Sequence, residues 1–194
     1  MKRVATWFVL IGLLLAGSLQ AAGMTLADIA RLQSVGQVEI SPDGRHIAYT
    51  VSVPRNLAKE DDGPAWSELH VLGPDGESLE FIGGSVNIGS IAWRPGHDAI
   101  TFLARRGDDD DSQLHAISLG GGEARKLAEL EGGVAGYSFS PDGDRVALIG
   151  TEQANEEVVA LQDRGFNQVV FEEDLMERVL FLADLQRPDV EPEE

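Results

Sequence analysis

Four histidines, one glycine-rich serine stretch and two acidic runs are the residues of this 194-residue chain that could do chemistry. His46, His70, His97 and His115 could act as general bases or metal ligands. None lies two, three or four residues from another, as a local zinc pair would require, so structural or surface roles are expected. Gly83-Gly84-Ser85-Val86-Asn87 approaches a Gly-x-Ser-x-Gly nucleophile elbow, but it lacks the final glycine and a strand-to-helix setting. Without a nucleophile on a strained turn, a base and an oxyanion hole, acyl transfer has no machinery, and no catalytic residue is assigned. The run Asp108-Asp109-Asp110-Asp111 lacks the spaced ligands and terminal Glu of a calcium loop, and a solvated charge run is expected there. No metal or cofactor is expected, and the absence of cysteine removes thiolate sites, disulfides and a lipoprotein anchor.

The elements that would position these residues announce themselves by repetition. Ile40-Ser41-Pro42-Asp43-Gly44-Arg45-His46-Ile47-Ala48-Tyr49 returns as Phe139-Ser140-Pro141-Asp142-Gly143-Asp144-Arg145-Val146-Ala147-Leu148. Between them, Trp93-Arg94-Pro95-Gly96-His97-Asp98-Ala99-Ile100-Thr101-Phe102 keeps the proline and the apolar run but has lost the Asp-Gly pair. The prolines are 53 and then 46 residues apart. Proline sets φ near −65°, Asp bonds its own backbone and Gly takes the left-handed conformation, so each copy predicts a strand, a tight turn and a second strand. The predicted pairs are 37–40 with 47–53, 88–93 with 99–104, and 134–139 with 145–149.

A second half follows each pair. Glu68-Leu69-His70-Val71-Leu72 matches Gln113-Leu114-His115-Ala116-Ile117, each followed by a Gly-rich turn and another short strand. The period and content predict an all-β fold, an incomplete β-propeller of two full four-stranded blades and part of a third. The blades are expected over 35–84, 85–130 and 131–185, the last interrupted by an insertion at 151–175. The acidic, proline-rich residues 186–194 are too polar for a good fourth strand. Open strand edges are then a route to self-association. Trp66, Trp93, Phe102, Tyr137 and Phe139 are expected in inter-blade core rather than as a ligand-stacking set.

Before the blades, Thr25 and Asp28 have capping-box spacing and predict a short helix within 24–34. Met1-Lys2-Arg3, the apolar run Val4 to Ala16 and the small residues before Gly23 read as a cleaved signal peptide over 1–22, which places the mature chain in the periplasm or outside the cell. No membrane association is expected after cleavage. The formal charge of −18 becomes −20 once Lys2 and Arg3 are removed, and so acidic a surface repels nucleic acid.

These features together, with Met24-Thr25-Leu26-Ala27-Asp28-Ile29-Ala30-Arg31-Leu32, Ala65-Trp66-Ser67-Glu68-Leu69-His70 and the 165–175 stretch, resemble the N-terminal propeller of the prolyl oligopeptidase (S9) family of serine peptidases. The secreted bacterial acylaminoacyl-peptidase and dipeptidyl-peptidase-like branch is the most similar. The resemblance implies a non-catalytic propeller that caps an α/β-hydrolase domain and admits peptide substrates, with that domain absent from this chain. It also implies a role for Glu172 and Glu173, which resemble a Glu-Glu pair that binds the free amino terminus of a peptide. The alternative expectation is a stand-alone periplasmic TolB-like propeller fragment serving as a protein-binding or scaffold module.

Overall fold

The computed structural model of the protein describes residues 23–56, 58–151, 164–165 and 178–186. The signal peptide expected over 1–22, most of the 151–175 insertion with Glu172 and Glu173, and the tail from 187 onward lie outside the described residues. Residues 1–32 and 33–194 form separate units. In the first, α1 (Leu26–Ile29) is one turn held by the expected capping box: Asp28 N–H donates to Thr25 Oγ1 at 3.2 Å, and Thr25 N–H donates back to the Asp28 carboxylate at 2.8 Å. The helix is shorter than the 24–34 expectation, because Ser34 already pairs in a strand and Leu26, Ile29 and Leu32 are exposed rather than buried on an apolar face.

In the second unit, β1 (Ser34–Ile40), β2 (Ile47–Val53), β3 (Trp66–Leu72) and β4 (Ser78–Ile82) form one antiparallel sheet in that order. A second consists of β5 (Gly89–Trp93), β6 (Ala99–Ala104), β7 (Gln113–Ser118) and β8 (Arg125–Ala128). The third holds β9 (Val134–Phe139), β10 (Arg145–Thr151) and β11 (Arg178–Asp184). The described chain is therefore two four-stranded blades and three strands of a third, as the repeats predict.

The turn residues explain the hairpins. Gly44 N–H donates to the Ser41 carbonyl at 2.8 Å and Gly44 sits at φ +70°, while the Asp43 carboxylate accepts from Arg45 N–H at 3.0 Å. Ser140 to Arg145 repeats this with Gly143 at φ +74°. The middle hairpin closes without Asp-Gly because its left-handed residue has moved one place earlier. Gly96 at φ +70° follows Pro95, as a type II turn requires, and His97 N–H reaches the Arg94 carbonyl at 3.3 Å.

Two apolar clusters hold the blades together. Ala48, Leu69, Val71 and Ile82 of the first blade meet Ile91, Ile100, Phe102 and Ile117 of the second. Leu103 and Leu114 of the second meet Val134, Val146, Leu148 and Ala183 of the third. β6 is thus covered on both faces, which is why Ile100-Thr101-Phe102-Leu103-Ala104 reads as a continuous run rather than an alternating one. Phe102 lies in the first cluster with Trp93 packed against it, and Tyr137 and Phe139 pack against the second, as expected for inter-blade residues. Trp66 does not. Its ring carries the Arg55 guanidinium 3.8 Å above it, and its Nε1–H donates to Glu60, so it orders the β2–β3 connection instead.

Polar links also tie successive blades. Trp93 Nε1–H donates to the Glu39 carbonyl at 3.0 Å, and the Tyr137 hydroxyl donates to the Ser90 carbonyl at 2.5 Å. Arg94 is buried, and its Nε–H reaches the Gly143 carbonyl at 2.9 Å, joining the second and third hairpin turns.

Candidate functional site

The matching histidines prove to be the organising feature of two polar clusters. His70 on β3 lies opposite Tyr49 on β2 and Glu80 on β4, and His115 on β7 lies opposite Phe102 on β6 and Lys126 on β8. Paired residues share a face of a sheet, so each imidazole meets an aromatic ring on one side and a charged side chain on the other. The Tyr49 and His70 rings stack at 5.6 Å, and the Phe102 and His115 rings at 5.7 Å.

In the second blade the cluster is closed and neutralised. His115 Nε2 lies 3.1 Å from Asp109 Oδ2, and Lys126 Nζ lies 2.6 Å from Asp109 Oδ1 and 2.6 Å from Glu129. Burial works against the Asp109 carboxylate, yet the hydrogen bonds from Lys126, the Arg106 backbone N–H and His115 outweigh it and hold its pKa below the ordinary value. Burial pushes His115 down despite the pull of Asp109. The hydrogen bonds to Asp109 and Glu129 raise the Lys126 pKa. The expectation of a solvated charge run over 108–111 therefore fails at Asp109, whose side chain is 6% exposed. Two tertiary partners, Lys126 and His115, convert one of four equivalent-looking aspartates into a buried ion-pair member.

The first blade's cluster has the same cross-strand register at its histidine, but it gathers carboxylates without a lysine. Glu68 Oε2 lies 3.4 Å from His70 Nε2, and ligand atoms of Glu68, His70 and Glu80 all fall within 4.8 Å of one another. The Glu68 and His70 side chains are 14% and 18% exposed, while Glu80 is at the solvent edge. Gly84 N–H donates to Glu68 Oε1 at 2.9 Å, and a Cβ at Gly83 would overlap the Glu80 carboxylate. The glycine-rich serine stretch Gly83 to Asn87 thus follows β4 and receives two carboxylates. Among the described residues, no Lys or Arg forms an ion pair with Glu68 or Glu80. Histidine spacing does not reveal this grouping, because its other donors are glutamates, Glu68 two residues away on β3 and Glu80 brought in across the sheet.

His46 and His97 lie at hairpin turns, and His46 leans on Trp93 with ring centroids 6.4 Å apart. Among the described residues no imidazole is hydrogen-bonded to a serine hydroxyl, and His46 meets Ser41 Oγ only through its backbone N–H at 2.9 Å.

The fold these residues occupy is a β-propeller, incomplete over the described chain. No family model matches the sequence. Its sequence homologues are nonetheless informative. The Bacillus subtilis protein described as uncharacterized peptidase YuxL is 30% identical over 125 residues, covering 64% of this chain and 18% of that protein. Dipeptidyl-peptidase 5 of Porphyromonas endodontalis is 26% identical over 128 residues, 66% of this chain and 18% of its own length. Among solved structures, the AtxE2 isopeptidase superposes with a TM-score of 0.62 at 16% identity, over 86% of this chain and 31% of that one. A TolB structure from Agrobacterium tumefaciens gives 0.53 at 17% identity, over 84% and 49%. Over part of its length the chain is thus similar in sequence to these peptidases, and in fold to solved structures of a peptidase and of TolB. It spans about a fifth of the curated peptidases it matches.

Proposed function

We propose that this chain is the non-catalytic propeller part of a secreted serine peptidase, which caps an α/β-hydrolase active site and gates the entry of peptides. The 30% identity to a peptidase across 125 residues carries this reading. A propeller supplies rigid walls and a narrow approach, so it excludes large or folded substrates on steric grounds while leaving the chemistry to another domain. The chain has no Gly-x-Ser-x-Gly sequence of its own, in keeping with that division of labour. Export follows from the leader expected over 1–22, and Glu172 and Glu173 would meet the substrate's ammonium group as paired carboxylates. A TolB-like binding module is the second reading, favoured by the shared fold with TolB, and its open edges would pair with a partner or a second copy.

The test is the size and reactivity of the native protein, immunoprecipitated from its source cells with an antibody against residues 24–185 and treated with a fluorophosphonate probe. A species several times larger that labels on serine supports the peptidase reading. A species of this chain's own size that does not label overturns it in favour of the binding module.

A further inference from the structure

The first two blades carry one polar site in two versions, and the difference between them is a missing cation. In the second blade His115, a carboxylate and the cross-strand Lys126 come together, and the Lys126 ammonium lies 2.6 Å from Asp109. In the first blade the residue across the strands from the histidine is Glu80, and a second carboxylate, Glu68, stands beside it. The register is the same in both, including the irregularity just before each histidine, at Leu69/His70 and at Leu114/His115. An ammonium group has therefore been exchanged for a carboxylate at an equivalent position. Two carboxylates and an imidazole converge where one blade away the chain supplies its own positive charge.

We propose that Glu68, His70 and Glu80 form a binding site for a zinc-like divalent metal ion on the face of the first blade turned away from the second. The donor set of one imidazole and two carboxylates suits a borderline metal with water completing the coordination. The 3.4 Å separation of His70 Nε2 and Glu68 Oε2 is long for a hydrogen bond. It is close to the edge of a tetrahedron with metal bonds near 2.0–2.1 Å, which is about 3.3 Å. The surroundings orient the donors as a second shell does. Stacking on Tyr49 fixes the His70 ring, Gly84 N–H holds one Glu68 oxygen so that the other turns to His70, and Gly83 leaves the space that the Glu80 carboxylate fills. Glu68 is partly buried and Glu80 lies at the solvent edge, and a bound cation would supply beside them the counter-charge that Lys126 supplies in the second blade. The ion would fasten β3 to β4 in the first blade, as the Asp109–Lys126 pair fastens the 105–112 connection to β8 in the second.

The full chain, freed of metal by chelator and dialysed, is titrated with zinc chloride by calorimetry, with cobalt chloride as a spectroscopic stand-in. We expect one zinc per chain, a cobalt absorption in the visible characteristic of four-coordination, and at least a tenfold loss of affinity in Glu80→Gln and His70→Gln. Gly83→Ala keeps all three donors and is expected to weaken zinc binding as well, by displacing the Glu80 carboxylate. The double variant Asp110→Asn with Asp111→Asn, in the acidic connection of the second blade, is expected to bind as the parent does. Circular dichroism confirms that each variant keeps the parent fold, and loss of the fold in His70→Gln leaves Glu80→Gln and Gly83→Ala to decide. Zinc binding that survives Glu80→Gln at parental affinity, binding that follows Asp110 and Asp111 instead, or no saturable binding at all would each overturn the proposal.

Discussion

Gly44 and Gly143 occupy the same place in the same turn, at φ +70° and +74°, and yet replacing each by alanine should give different results. Alanine in the left-handed region costs about 1–2 kcal/mol wherever it sits. At Gly44 an added Cβ meets nothing within 4 Å, so that strain is the whole cost. At Gly143 the Cβ would overlap the Pro95 carbonyl oxygen and come within 3.4 Å of the His97 ring, so the turn of the second blade must move. Overpacking against backbone adds about 1–3 kcal/mol. Displacing the Gly143 carbonyl also weakens its 2.9 Å bond from buried Arg94, and hydrogen bonds to charged groups contribute about 1.5–3 kcal/mol when lost entirely. The Gly143→Ala cost should therefore exceed the Gly44→Ala cost by roughly 2–4 kcal/mol, allowing for partial loss of that bond. For a chain of this size that is a difference in Tm of about 5–15 °C. Urea unfolding followed by tryptophan fluorescence measures both, with unchanged m values as the check that the unfolded states are comparable. Valine at 143 should be worse than alanine, since a β-branched side chain tolerates positive φ least. Equal midpoint shifts for Gly44→Ala and Gly143→Ala would refute the claim that the two turns are in contact. So would strict additivity of Gly143→Ala with Arg94→Met in a double-mutant cycle.

Three further outcomes follow from the same packing. Phe102→Ala removes a fully buried ring from the cluster between the first two blades and should cost about 3–5 kcal/mol in urea unfolding. Tyr137→Phe leaves the Ser90 carbonyl and the Thr101 hydroxyl without their shared partner and should cost about 1–3 kcal/mol while near-ultraviolet dichroism keeps its shape. Because Asp109 and His115 both have folded pKa values below their ordinary ones, the unfolded chain binds more protons than the folded one, so stability must fall as pH drops. The decline begins below the ordinary histidine value of 6.5 and continues past the ordinary aspartate value of 3.8. Urea midpoints measured from pH 8 to 3 should show this slope, and Asp109→Asn should flatten its acid limb.

The hairpins and blade count were legible in the chain because their causes are local. Proline at the second turn position, an Asp that bonds its own backbone and a glycine at positive φ act within six residues, and a strand's two faces declare themselves by alternation. The capping box of α1 is local in the same sense, whereas the length of that helix was not, since no apolar face is buried to extend it. The degenerate middle turn was legible only in part: Pro95 marked its place, but that Gly96 takes over the left-handed role is a matter of backbone geometry.

What tertiary structure alone decided is which charges meet. Nothing local separates Asp109 from Asp108, Asp110 and Asp111, and only its tertiary partners, His115 on β7 and Lys126 seventeen residues away on β8, make it a buried anion. Likewise Glu80 becomes a neighbour of His70 through cross-strand register, and that register passes through an irregularity at Leu69/His70. Backbone conformational preference is a property of one residue and its immediate neighbours, so a sequence displays it directly. Charge pairing depends on the separation of groups in space, and in a sheet that separation is set by strand register, which the chain acquires only when the whole blade is assembled.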